Sequence, residues 1–328
     1  MTRKLYVLFT LLLYLLVTPS LSRAQRQQDF NEWLAEFRKS AISAGISRET
    51  LDLTLPKVQF IPRVIELDKS QPEFRLTVEE YLNRIVTDVR VNKGREILEQ
   101  NQDLLNSIYQ NYGVQPSVLL ALWGIETDFG RSIGAYSVID AVATLAYQGR
   151  RAVFFRQELL QALRIIDKGH ILPEQMIGSW AGAMGQIQFM PSSFQSFAVD
   201  HDGDGKRDIW NSPPDVFASA ANYLSKNGWT KEKSWGMEAA IPANFSSSLA
   251  GLEVRKTLTE WKSLGVQYAE KDESPVDPSQ LWSVVAPDRL KKTAYLVNSN
   301  YRAILRWNRS HHFAIAVGTL SDRIAGKQ

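Results

Sequence analysis

The 328-residue chain contains no cysteine, which excludes disulfides and any thiol redox centre. Histidine is almost as scarce, with four residues, and no His/Cys/Glu set has the spacing of a zinc site. There is no P-loop, and no G-x-S-x-G turn of an α/β-hydrolase. Internal repeats and low-complexity tracts are also absent. The one long apolar run is Leu5–Val17, and its 13 residues fall short of a bilayer span, which takes ~18–20. Arg3 and Lys4 precede it and Ser22-Arg23-Ala24 follows, so residues 1–24 read as a cleavable secretory signal. That segment carries Arg3, Lys4 and Arg23 but no acid, so the formal net charge of +3 belongs largely to it. The remaining chain is near neutral, which argues neither for nor against nucleic acid. It is long enough to bury a large core in more than one lobe.

What the chain does have is concentrated in two stretches. In Val118–Gly130, VLLALWGIETDFG, apolar side chains occupy every face of a predicted helix, which then has no water-facing side. Pro116 suits its first turn and Gly130 the break after it. Glu126 therefore stands where a nearly all-apolar helix runs out. Burial there raises a carboxyl pKa, and an acid still protonated near neutral pH can give a proton to a leaving oxygen. A Glu that merely reaches water from a helix end is the plainer reading. The facing stretch is Gly178–Pro191, GSWAGAMGQIQFMP. Gly182 and Gly185 mark close backbone approach in it, and Gln186 and Gln188 carry amides suited to sugar hydroxyl and acetamido groups.

The segment Asp200–Asn211, DHDGDGKRDIWN, places oxygen ligands at loop positions 1, 3, 5, 9 and 12, with Gly205 at position 6. Asp200, Asp202, Asp204, the Lys206 carbonyl, Asp208 through water and Asn211 form the expected calcium set. The segment lies between a helix led by Pro191 and one led by Ser212-Pro213-Pro214. It departs from the EF-hand pattern where Asn211 replaces a bidentate Glu and where Arg207 replaces an apolar residue. A metal-free acidic turn is the alternative.

Around these stretches the pattern is mainly helical. Phe30, Trp33, Leu34 and Phe37 recur at helix spacing, and the aromatic residues among them are assigned to the core. Ser47 can cap a second helix. Thr77-Val78-Glu79-Glu80 opens another over Val78–Val89 with a capping box, and Gly94–Tyr112 continues the period. Ser137–Asp140 starts a further helix, and Arg150–Lys168 forms one stopped by Gly169. Arg150 and Arg151 are candidates for binding carboxylates, against the plainer reading of a solvated helix end. After Gly228 the apolar runs shorten and Pro242, Pro275, Pro278 and Pro287 interrupt them, which predicts a small β-containing lobe before a last helix over His311–Leu320. The expected division is a signal at 1–24, a helical lobe at 25–112, the core at 113–232, the small lobe at 233–305, and a helix at 306–328 returning to the core.

WGIETDFG, GSWAGAMGQIQFMPSSF and DHDGDGKRDIW together resemble the lytic murein transglycosylase B family of peptidoglycan-cleaving enzymes, glycoside hydrolase family 103. FNEWLAEFRKSAISAGIS, QPEFRLTVEEYLNRIV, ATLAYQGRRAVFF and RWNRSHHFAIAVGTL extend the resemblance over nearly all of the mature chain. It implies a mainly α (α+β) fold with a lysozyme-like helical core. It also implies a single catalytic Glu, here Glu126, and a product with a 1,6-anhydro ring on muramic acid. Ser179, Gln188 and Phe189 fall on cleft-lining positions, with Tyr223 and Asn308 closing the cleft, and Arg150 and Arg151 on the family's Arg-Arg position. Near the C-terminus the family pattern Tyr-Asn-x-Ser-x-x-Tyr is met by Trp307-Asn308-Arg309-Ser310-His311-His312-Phe313, so Phe313 lacks the last hydroxyl. The lipid-bearing cysteine of some members is absent, and the resemblance then implies a soluble periplasmic protein acting on glycan strands, with other cell-wall enzymes as possible partners. Most glycosidases flank the bond with two carboxylates, whereas Asp128, two residues on, cannot share a helix face with Glu126. A muramidase using water on the same fold, and a non-catalytic glycan-binding scaffold, are the rival readings.

Overall fold

The computed structural model describes residues 23–70, 76–231, 233–269, 277–288 and 293–327. The predicted leader lies outside them except for its last two residues, which open the first helix. Among the described residues no helix is long and apolar enough to cross a membrane.

The helices up to the centre of the fold are α1 (Arg23–Ser43), α2 (Arg48–Thr54), α3 (Pro62–Lys69), α4 (Val78–Ile85), α5 (Asp88–Gln100), α6 (Gln102–Tyr112) and α7 (Pro116–Thr127). Local chemistry sets their ends. Ser47 accepts from the Thr50 amide to cap α2, and Thr77 and Glu80 form a reciprocal capping box on α4. The predicted helix over Val78–Val89 ends earlier, at Ile85, because the Thr87 hydroxyl accepts from the Arg90 amide and starts α5. The stretch 94–112 likewise divides at Asn101, where α6 begins.

Helix α7 is the axis of the molecule. Val118 to Gly124 are all buried, as an all-apolar helix requires. Helices α5 and α6, α11 (Pro213–Lys226) and α14 (His311–Ile324) pack around it. On one side lie α8 (Val138–Gln148) and α9 (Ala152–Asp167), against which α10 (Pro191–Phe197) docks through α9. Glu158 in α9 supplies the α10 cap, accepting the Ser192 amide at 2.9 Å and its hydroxyl at 2.7 Å. A two-stranded antiparallel ladder, β1 (Tyr136–Ser137) with β2 (Ile177–Gly178), carries the chain from α8 into the facing stretch. Gly134 allows it: a Cβ there would lie 2.0 Å from the Gly178 carbonyl oxygen.

The small lobe is a four-stranded antiparallel sheet in the order β4–β3–β6–β5, from β3 (Gly236–Ala240), β4 (Gln267–Tyr268), β5 (Ser283–Val285) and β6 (Thr293–Val297). It has its own apolar core of Trp261, Val266, Trp282, Val284 and Leu296, covered by α12 (Leu258–Ser263). Helix α13 (Ser299–Trp307) then returns the chain to α11. The structure is thus mainly α with small sheets. Phe30 and Phe37 are buried core residues, and the half-buried Trp33 stacks on both with the Arg156 guanidinium over its ring.

Candidate active site

Glu126 lies in the last turn of α7. By accessible surface it is only half-buried, yet its carboxyl is densely enclosed by protein atoms. Both hold for a group on the floor of a cleft, which solvent reaches from one direction. Burial pushes its pKa up to about 7, and a hydrogen bond from the Trp307 indole N–H to Oε1, at 2.8 Å, opposes the rise. No second carboxylate contributes among the described residues. The chain leaves α7 through Asp128 and Phe129, both at positive φ of 51° and 57°. Packing holds them there. The Phe129 ring sits on Gly124, where a Cβ would meet Cζ at 2.8 Å, and packs edge-on against Trp123. Asp128 pairs with Arg131 and, at 3.7 Å, with Arg90 of α5.

Trp307 ends α13, and its ring is clamped. Tyr223 of α11 meets it at 4.8 Å between centroids and Phe189 at 5.2 Å. The Tyr223 hydroxyl donates to the Arg306 carbonyl at 2.7 Å, fixing the backbone beside the indole. Phe189 and Tyr223, expected in the cleft, are thereby placed beside the acid's hydrogen-bond donor. Phe313 is buried in the first turn of α14, its amide donating to Ser310 Oγ. Asn308 is exposed, with Oδ1 accepting from the Ser310 amide.

The facing stretch is held by its own polar atoms. Ser179 Oγ accepts the Ala183 amide at 3.0 Å and closes a tight turn. Gln188, at φ 50°, donates from Nε2 to the Ile133 and Gly185 carbonyls. Gln186 was expected to meet sugar, but its amide is engaged internally. It accepts from the Trp123 indole at 2.9 Å and donates to the Trp210 carbonyl at 2.7 Å, while Thr127 donates to its backbone oxygen at 2.6 Å. Gln186 therefore ties α7 to the loop after Asp200.

In that loop, carboxylate oxygens of Asp200, Asp202 and Asp204 lie within 4.8 Å of one another, a donor set that suits a hard cation. The Asp200 carboxylate accepts the Gly203 and Gly205 amides, a geometry that holds the first half of the loop closed. The second half differs from expectation. Asp208 accepts the amides of Trp210 and Asn211, and Asn211 Nδ2 turns onto the same carboxylate at 3.1 Å. Asp215, one turn into α11, is fully buried and accepts the amides of His201 and Asp208, both at 2.7 Å. Burial raises its pKa, backbone donors from His201, Asp208 and Asp202 oppose the rise, and the charge of Asp202 adds to it.

Arg150 and Arg151 stand at the α8–α9 corner. Arg150 pairs with the buried Asp68 of α3, its amide donating at 3.1 Å, and the Arg151 guanidinium lies over the rings of Phe154 and Phe155. Sequence reasoning missed three residues. Trp307 was noticed only as a departure from Tyr, although an indole N–H is a donor wherever it is aimed. Asp215 lies beyond the 12-residue loop pattern. Tyr81 of α4 gave no signal, yet burial raises its pKa and the Glu126 charge adds to that, against the opposing Arg90.

The chain is similar to known proteins in sequence and fold. The sequence profile of the transglycosylase SLT domain matches residues 29–322. The chain is 33% identical over 249 residues to membrane-bound lytic murein transglycosylase B of Escherichia coli K12, covering 75% of this chain and 66% of that protein, just under two thirds of its length. SltB3 from Pseudomonas aeruginosa, solved in complex with NAG-anhNAM-pentapeptide, superposes with a TM-score of 0.86 at 43% identity, over 91% of this chain and 80% of that one. The Escherichia coli lytic transglycosylase Slt35, solved in complex with calcium, does so with a TM-score of 0.76 at 30% identity, over 92% and 94%. With the profile running through α7, the facing stretch and α14 alike, the chain belongs to the transglycosylase SLT domain family.

Proposed function

We propose that the chain is a peptidoglycan lytic transglycosylase in which Glu126 acts first as acid and then as base on the β-1,4 bond between N-acetylmuramic acid and N-acetylglucosamine. The observation that carries this reading is one enclosed carboxyl, pushed up to about 7, with a single fixed donor and no second acid acting on it among the described residues. Protonated Glu126 gives its proton to the glycosidic oxygen as the C1–O bond breaks. The 2-acetamido oxygen of the muramic acid bonds to C1, a substrate-assisted exception to the two-acid scheme. The C6 hydroxyl then displaces it, giving its proton to the Glu126 carboxylate. The anhydro ring closes, the acid is regenerated and no water is consumed. The complex of SltB3 with an anhydro-muramyl peptide supports this product class. Mass spectrometry of digested sacculi tests it. Products one water lighter than hydrolytic ones are expected, hydrolytic masses would establish a muramidase, and no release would leave a binding protein.

Ser179, Gln188, Phe189, Asn308 and Phe313 are the proposed glycan-contacting set, with Gln186 and Tyr223 holding the cleft from behind and Arg150 and Arg151 facing stem peptides. Asp200, Asp202 and Asp204, with the Lys206 carbonyl, would hold calcium, supported by the calcium complex of Slt35. When bound, the ion would neutralise three crowded acids and join α10 to α11. Asp208, Asn211 and Asp215 would then shape the loop around it. The lobe boundaries given above, export by a cleaved leader and a periplasmic location belong to the same proposal.

A further inference from the structure

We propose that Trp307 is the positioning residue that decides which oxygen of Glu126 carries the transferred proton, reserving Oε2 for substrate. The proposal rests on Glu126 being the acid–base group. An indole N–H can donate but cannot accept. At 2.8 Å from Oε1 it disfavours a proton on that oxygen, because a carboxylic hydroxyl oxygen is a much weaker acceptor than the carbonyl oxygen. The proton of the neutral acid therefore favours Oε2. A phenol at this position could donate or accept, and either oxygen could hold the proton. The clamp of Phe189 and Tyr223 keeps the indole aimed, so little ordering cost remains when substrate arrives.

The N–H also favours the carboxylate over the acid, which opposes the effect of burial. Other titratable or charged groups around the site are Tyr81 of α4, Arg90 of α5, Asp128 and Arg131 after α7, Tyr223 of α11, Arg306 beside Trp307, and His311 and His312 in the first turn of α14. His311 is joined to the Tyr301 hydroxyl and His312 to the Leu76 carbonyl.

The test compares the full-length protein with Trp307→Phe, Trp307→Tyr and Glu126→Gln. Trp307→Phe should lower kcat about tenfold with KM nearly unchanged, and move the alkaline limb of the kcat profile up by about one pH unit. Trp307→Tyr should restore most of that limb. In the wild type, the indole N–H resonance lost in Trp307→Phe should titrate with a midpoint matching the limb, and should stop titrating in Glu126→Gln. An unmoved limb in Trp307→Phe, or an indole resonance indifferent to pH while Glu126→Gln is inactive, would overturn the proposal. A Trp307→Phe protein that only melts earlier, with normal turnover per folded molecule, would do the same. Full turnover in Glu126→Gln would instead remove the acid–base reading, and the proposal with it.

Discussion

Holding one carboxyl protonated to about pH 7 works against the fold. The unfolded chain releases that proton near the ordinary value of 4.5, whereas the folded chain keeps it to about 7. Between those values the native state binds more protons, so stability falls as pH rises. The penalty is absent below 4.5 and complete above 7. Glu126→Gln removes the titration, so at pH 8 it should be more stable than the wild type by on the order of 2 kcal/mol once the full shift is discounted for the solvent reaching a half-buried carboxyl, with the gain vanishing at pH 4. Chemical denaturation at the two pH values measures this. The same variant should lose a factor of roughly 10² or more in release from sacculi while still binding glycan. Phe313 concerns a different atom. Because the Trp307 indole N–H already donates to Glu126, a further donor has no vacant duty there, and Phe313→Tyr should leave kcat little changed. Strong inactivation would mean that the pocket is shaped around the bare ring.

Among the elements, the acidic loop between α10 and α11 is where ligand binding should show as stability. Three carboxylates within 4.8 Å repel one another until a cation joins them. Because Asn211 faces Asp208 and not the loop centre, affinity should lie in the weak ~10⁻⁴–10⁻³ M range. Melting should rise in millimolar calcium and fall with chelator, the stabilisation at 1 mM ion being about 0.4–1.4 kcal/mol across that affinity range. Asp200→Ala should abolish the difference, and an unchanged wild-type midpoint would leave only an acidic turn. This loop also marks how far the sequence could be read. Its helix–loop–helix frame was legible because Pro191, Ser212 and Pro213 write helix starts locally, and α7 was legible because no amphipathic stripe interrupts it. Asp215 was not, because its amide partners are chosen by how α11 packs back on the loop. Trp307 and Tyr81 were hidden for the same reason: they reach Glu126 from helices far away in sequence. The split between α4 and α5 turned on one side-chain cap, Thr87, inside a continuous helical period.

For the molecule as a whole, the small lobe is attached to the helical body at a specific polar joint. Asp288 accepts the Val78 amide at 2.9 Å, capping the helix that carries Tyr81, and lies 3.9 Å from His312. Asp288→Ala should cost about 1–2 kcal/mol in denaturant titration, within the range of a lost helix cap. It should also lower activity more than a surface substitution such as Glu36→Ala, because the capped helix borders the acid. The packing of α14 against α7 has a further outcome in time. The helix bearing Glu126 is enclosed by a segment far downstream of it in the chain, and long-range contacts of this kind form late. A chain that has not yet closed this contact therefore lacks part of the enclosure that lifts the Glu126 pKa. Folding order would then keep that carboxyl an ordinary, ionised one until the fold is complete.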